Sequence, residues 1–153
     1  MSHPYRIMPL GTRHKLWSDF LEQRPTKSDL LRIIHKVRFF REVAWQKLLE
    51  LEPDNNELRG IIQNIKYLRE RAAKKLLSQN PTNHDLLCVM VYVESLCEEA
   101  WQMQLEQDAT YQDFFCIARG VESLRERAEE KMKTAPRKET KQRLLNKILG
   151  LGG

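Results

Sequence analysis

The sequence predicts an all-α fold: a short α-solenoid of tandem 28-residue antiparallel two-helix repeats, with helical caps at both ends. Three observations carry this expectation. Val93-Glu94-Ser95-Leu96 recurs verbatim 28 residues later as Val121-Glu122-Ser123-Leu124. Leu68-Arg69-Glu70-Arg71-Ala72 returns as Leu124 to Ala128, and Ala44-Trp45-Gln46 as Ala100-Trp101-Gln102, both at a shift of 56. The composition agrees, with 41% hydrophobic and 31% charged residues and only six Gly and six Pro in 153 residues. Self-similarity at a fixed period marks a supersecondary unit that cannot bury its apolar faces alone and must stack on its neighbours.

The elements follow in order. Residues 1–12 read as a flexible N-terminal arm, and 13–23 as an N-terminal cap helix. A single repeat domain then spans 13–149, with units near 28–55, 56–83, 84–111 and 112–139. Each unit opens with a first helix, A, whose apolar residues fall at i, i+3, i+4 and i+7: Leu30, Ile33, Ile34 and Val37, then Leu58, Ile61, Ile62 and Ile65. Leu86, Val89, Met90 and Val93, then Phe114, Ile117, Ala118 and Val121 continue the pattern, which is one face of a 3.6-residue helix. A second helix, B, carries Phe40, Ala44 and Leu48, then Leu68, Ala72 and Leu76. Ala44, Ala72, Ala100 and Ala128 share a column, which predicts a close approach of helices.

Between A and B, Ser95 with Glu98 and Ser123 with Glu126 match an S-x-x-E capping box. Pro-x-Asn at Pro53 to Asn55 and Pro81 to Asn83 closes helix B and offers Asn as the next N-cap, with Glu57 and Asp85 near the positive helix end. Residues 140–149 form a basic amphipathic closing helix, and 150–153 a flexible tail.

Paired antiparallel helices recurring from Trp17 to about Met132 resemble the α-solenoid repeats of HEAT and tetratricopeptide proteins. The unit is shorter than the ~34 residues of the tetratricopeptide or the ~40 of the HEAT repeat. The W-x-x-L-G-x-x-Y signature is absent. The likeness is one of architecture, and it implies scaffolding or recognition along an extended groove.

Aligned with one another, the repeats separate constant columns from variable ones. The outward positions of helix A read Arg32, His35 and Lys36, then Gly60, Gln63 and Asn64, then Cys88, Val91 and Tyr92, then Cys116, Arg119 and Gly120. The face passes from basic through neutral polar to apolar, so Arg32, His35, Lys36, Gln63, Asn64, Val91, Tyr92 and Arg119 are the candidate partner-binding groove. The competing reading packs Leu87, Val91 and Tyr92 beneath a neighbouring helix or cap. Helix B repeats Glu42, Glu70, Glu98 and Glu126, which reads as a solvated face. Arg41, Arg69 and Arg125 read as bridges between adjacent repeats or as stems laid over apolar surface.

Charge is segregated along the chain. Residues 1–43 hold nine Lys or Arg against four acids, whereas His84 to Thr110 hold six acids and no Lys or Arg. Seven basic residues, Lys131, Lys133, Arg137, Lys138, Lys141, Arg143 and Lys147, stand against Glu139 alone and are the candidate phosphate contacts. No P-loop, dinucleotide fingerprint, H-E-x-x-H or nucleophile elbow is present. Cys88, Cys97 and Cys116 include no C-x-x-C pair, and the four histidines are scattered. The sequence therefore predicts a cytoplasmic, non-enzymatic adaptor or small scaffold subunit without metal or cofactor, binding a larger protein through the helix A groove and the C-terminal helix. The alternative is a nucleic-acid-binding or ribonucleoprotein subunit that uses the basic ends.

Overall fold

The computed structural model describes residues 10–137, 145, 146 and 148–150, and among these the chain is all-helical, without strands. Helix α1 spans Leu10–Glu22. It is followed by α2 (Lys27–Lys36), α3 (Arg41–Leu49), α4 (Asn55–Asn64), α5 (Arg69–Leu77), α6 (Asn83–Tyr92), α7 (Cys97–Glu106), α8 (Tyr111–Gly120) and α9 (Arg125–Met132). Helix already begins at Leu10, inside the expected arm of 1–12, the rest of which lies outside the described residues. The predicted closing helix of 140–149 lies mostly outside the described residues.

Helices α2, α4, α6 and α8 each start at a reciprocal capping box. The side chains of Thr26, Asp54, Thr82 and Thr110 accept from the backbone N–H three residues on, where Asp29, Glu57, Asp85 and Asp113 accept in return from the N-cap N–H. Two orphan donors are satisfied at each start. The caps are therefore Asp54 and Thr82, one residue ahead of the expected Asn55 and Asn83.

Each of these helices stops at a β-branched residue: Val37, Ile65, Val93 or Val121. All four are extended, with φ between −121° and −126°, while each N–H still reaches the carbonyl four residues back. Branching at Cβ suits this backbone, and Ile65, Val93 and Val121 are buried while Val37 is half-buried. A three-residue 3-10 turn follows, at Arg38–Phe40, Lys66–Leu68, Glu94–Leu96 and Glu122–Leu124. Its last residue is buried in every case. The S-x-x-E motif does not cap helix B, since Ser95 and Ser123 sit inside the 3-10 turns and no side chain caps these starts. The second helices α3 and α5, like α1, end before a left-handed residue, Glu52, Asn80 or Arg24, placed directly ahead of Pro53, Pro81 or Pro25. Proline cannot continue the helix.

Each first helix packs on the second helix that follows it, α4 packs on α6 and α6 on α8, and α3 and α5 touch the first helix of the next pair. The buried apolar side chains form one cluster from Leu21 to Ala128. Ala44, Ala72, Ala100 and Ala128 are all fully buried, as a close approach requires. Trp45 reaches from α3 onto α4 at Gly60, where an added Cβ would stand 2.6 Å from its Cη2. No helix of the described residues is long and apolar enough to cross a membrane.

Candidate functional site

The starts of the first helices are tied together by polar contacts. Lys27 Nζ lies 3.3 Å from Glu57 Oε1. Asn55 donates to Asp85 Oδ2 at 3.2 Å, and Asn83 to Asp113 Oδ2 at 3.1 Å. The Asn residues that the sequence suggested as caps thus reach forward to the capping carboxylate of the next helix. Asp85 is the centre of this arrangement. It is 2% exposed, accepts from its own N-cap Thr82 N–H at 2.9 Å, and lies 3.0 Å from Arg59 Nε. Arg59 Nε is off the line of a hydrogen bond, so that contact is an ion pair.

The opposite ends are tied by arginine. Arg41 Nε donates to Ile34 O at 2.8 Å, Arg69 Nε to Ile62 O at 2.6 Å and Arg125 Nε to Ala118 O at 3.4 Å. This column therefore satisfies late carbonyls of the helix preceding it within one helix pair, and Arg69 in addition reaches Tyr92 of the next pair. A cation at a helix C-terminus also matches the dipole. Cys97 fills the same place in the third pair, where it is buried.

All eight candidate groove residues lie on α2, α4, α6 and α8, and all are exposed. Val91 is 44% and Tyr92 40% exposed, while Leu87 is half-buried. Arg69, expected from the sequence to bridge repeats or lie over apolar surface, also donates from Nη2 to Gln63 O at 3.4 Å and stands 5.2 Å over the Tyr92 ring. Asn64 donates back to Gly60 O at 2.7 Å. Arg119 lies 5.6 Å from the Phe115 ring, at an open cleft of about 440 Å³ lined by Phe115, Ala118, Arg119, Arg125, Glu129 and Met132. No ion pair or hydrogen bond of the Arg32, His35 or Lys36 side chain joins them to the other five among the described residues. Among these residues polar and ring contacts join α4 to α6, and Val91 of α6 lies against Gly120 of α8.

Of the candidate phosphate contacts, Lys131, Lys133 and Arg137 are exposed. Lys133 pairs with Glu130 at 3.0 Å, and Arg137 stands 4.4 Å over Tyr111. Lys138, Lys141, Arg143 and Lys147 lie outside the described residues. In the glutamate column, Glu98 receives both Arg127 Nη atoms at 2.8 Å, and these hydrogen bonds hold its carboxyl below the usual range. Arg127 also covers Trp101 at 5.1 Å, so this glutamate joins consecutive helix pairs while the whole column remains exposed, as expected. Burial pushes the Cys88 and Cys97 thiols up, which keeps them protonated and poorly nucleophilic near neutral pH. Among the described residues no group of three His, Cys, Asp or Glu side chains converges on a common point. Set against known protein families, curated proteins and solved structures, the chain matches none.

Proposed function

We propose that the chain is a non-enzymatic protein-interaction module, an adaptor or small scaffold subunit built as a short α-solenoid of 28-residue units. Its helix A face and C-terminal helix dock on a larger protein. One observation carries the reading: Val91 and Tyr92 remain 44% and 40% exposed on a helix whose neighbouring Leu86, Val89 and Met90 are in the core. Arg69 anchors this surface, because its guanidinium is fixed by two carbonyls and lies against the Tyr92 ring. A held aromatic ring loses little freedom when a partner closes over it, which is the property of an interface anchor. The register of the element starts supports the stacked reading, since α2, α4, α6 and α8 begin at Lys27, Asn55, Asn83 and Tyr111.

The test compares the intact protein with a Val91→Ser, Tyr92→Ala variant in affinity capture from native lysate, followed by mass spectrometry. A protein retained by the first and lost from the second, at unchanged far-ultraviolet circular dichroism, is the expected outcome. Loss of helicity would instead make the patch part of the core. Retention of nucleic acid alone, with affinity falling steeply between about 50 and about 200 mM salt, would replace the reading with phosphate binding.

A further inference from the structure

The four 3-10 turns occupy equivalent places in successive helix pairs, and each turns its last residue inward while its first two are exposed. In the first two turns those outward residues are a base followed by an aromatic: Arg38 with Phe39, and Lys66 with Tyr67. In the last two they are an acid followed by a small hydroxyl: Glu94 with Ser95, and Glu122 with Ser123. Phe39 is 78% and Tyr67 59% exposed, which is unusual for rings of this size in a folded chain. Among the described residues none of the four charged groups forms an ion pair within the chain.

The turns follow one another along one edge. Tyr67 lies beside Glu42 at the start of the preceding second helix, and Ser123 lies beside Cys97 in the same way two turns further on. The third turn packs against α5. Helices in contact lie roughly 8–10 Å apart, so four turns span about 30 Å.

Along this edge both charge and size invert at the midpoint. We infer that the edge pairs with the same edge of a second copy of the chain, in antiparallel register, about a two-fold axis crossing between the second and third turns. That operation sets the first turn against the fourth of the other copy and the second against the third. Arg38 meets a glutamate equivalent to Glu122, and Lys66 one equivalent to Glu94. Phe39 and Tyr67 meet the small side chains at the Ser123 and Ser95 positions. Every contact joins opposite charges or a large group to a small one, and the symmetry repeats each contact twice, as an isologous interface demands. Parallel pairing would instead put like charges opposite each other at all four turns.

A second copy is the occupant because the two halves of one edge complement one another. An unrelated partner would require a matching charge pattern only on its own surface. The rings supply apolar burial, while the exposed ion pairs mainly fix register and exclude the parallel arrangement. A strip this narrow falls among the weak, salt-sensitive associations. The inference is independent of what the helix A face binds.

The test is sedimentation equilibrium of the full chain across protein concentration and salt. The expected mass rises from 18.2 kDa toward twice that value at low salt and hundreds of micromolar protein, and returns to 18.2 kDa at high salt. Arg38→Glu with Lys66→Glu makes the edge wholly acidic, and Glu94→Lys with Glu122→Lys makes it wholly basic. Each double variant alone is expected to remain monomeric, with circular dichroism unchanged. An equimolar mixture of the two is expected to form heterodimers, because every opposed pair is again of opposite sign. Restored association on mixing cannot come from misfolding of either variant. A natural chain that stays monomeric under all these conditions overturns the proposal. So does a mixture of two folded variants that fails to associate, or an Arg38→Glu, Lys66→Glu variant that dimerises as the natural chain does.

Discussion

Replacing Gly60 with alanine separates two opposing effects at the contact between α3 and α4. A Cβ at this position would lie 2.6 Å from Trp45 Cη2 and 3.2 Å from Cζ3. Trp45 is buried at 8% exposure, so its ring cannot simply swing into solvent. Crowding of this kind costs about 1–3 kcal/mol. Alanine in a helix interior returns about 0.5–1 kcal/mol over glycine, by limiting the unfolded backbone and favouring helix. Crowding wins over nearly all of this range, and the net loss is up to about 2.5 kcal/mol, or a melting point lower by up to about 10 °C for a chain of this length. The informative measurement is a cycle with Trp45→Leu, read by urea unfolding under far-ultraviolet circular dichroism with comparable m values. Without the indole, Gly60→Ala is expected to stabilise by about 0.5–1 kcal/mol. The sign of the substitution therefore reverses between the two backgrounds. Equal effects in both, or stabilisation with Trp45 present, would show that the ring does not limit this contact.

Two further substitutions test the polar interior. Asp85→Ala removes the acceptor of Asn55 and of the Thr82 N–H together with the partner of Arg59. Stripping a buried pair of one member costs about 3–5 kcal/mol, and the 22% exposure of the Arg59 side chain places the expected loss near the lower end. The same unfolding assay checks it, and a change no larger than that of an ordinary surface substitution would remove Asp85 from the centre of the contact. Gln104 is fully buried, with neither amide atom hydrogen-bonded, where Leu48 and Leu76 stand in the preceding second helices. Gln104→Leu is expected to stabilise by about 1–3 kcal/mol, and a destabilised variant would show that the amide is satisfied in solution.

Much of the helical framework is legible in the spacing of apolar residues. Leu30, Ile33 and Ile34 are buried as their intervals require, and so are Leu58, Ile61 and Ile62. Periodicity hides the point where the first helix stops. Val37 continues the stripe on paper, yet a single extended residue followed by a 3-10 turn keeps the apolar phase while changing the backbone. The Ser95 and Glu98 motif misleads for a related reason, since the letters of a capping box do not distinguish an α-helix start from a turn one step earlier. Asn55 and Asn83 are good caps by residue type, but Asp54 and Thr82 before them place an oxygen where the N3 amide needs it, leaving Asn free to reach the next helix. For the site, helical spacing brings Val91 and Tyr92 to one end of their helix. Their exposure depends on neighbours that no local pattern records. Arg69 is hidden further, because its partners Ile62 and Gln63 lie across a reversal of the chain.

The contacts from Lys27 to Glu57, from Asn55 to Asp85 and from Asn83 to Asp113 share one direction: a donor at the first position of a helix and an acceptor at the third position of the next. The units that begin at Lys27, Asn55 and Asn83 carry both a donor at the first position and an acceptor at the third. A duplicated copy of residues 55–82, placed in tandem after the original, would offer its Glu57 to the Asn55 before it and its own Asn55 to Asp85 beyond. Such a chain could gain or lose whole units through gene duplication or deletion without inventing a new joint.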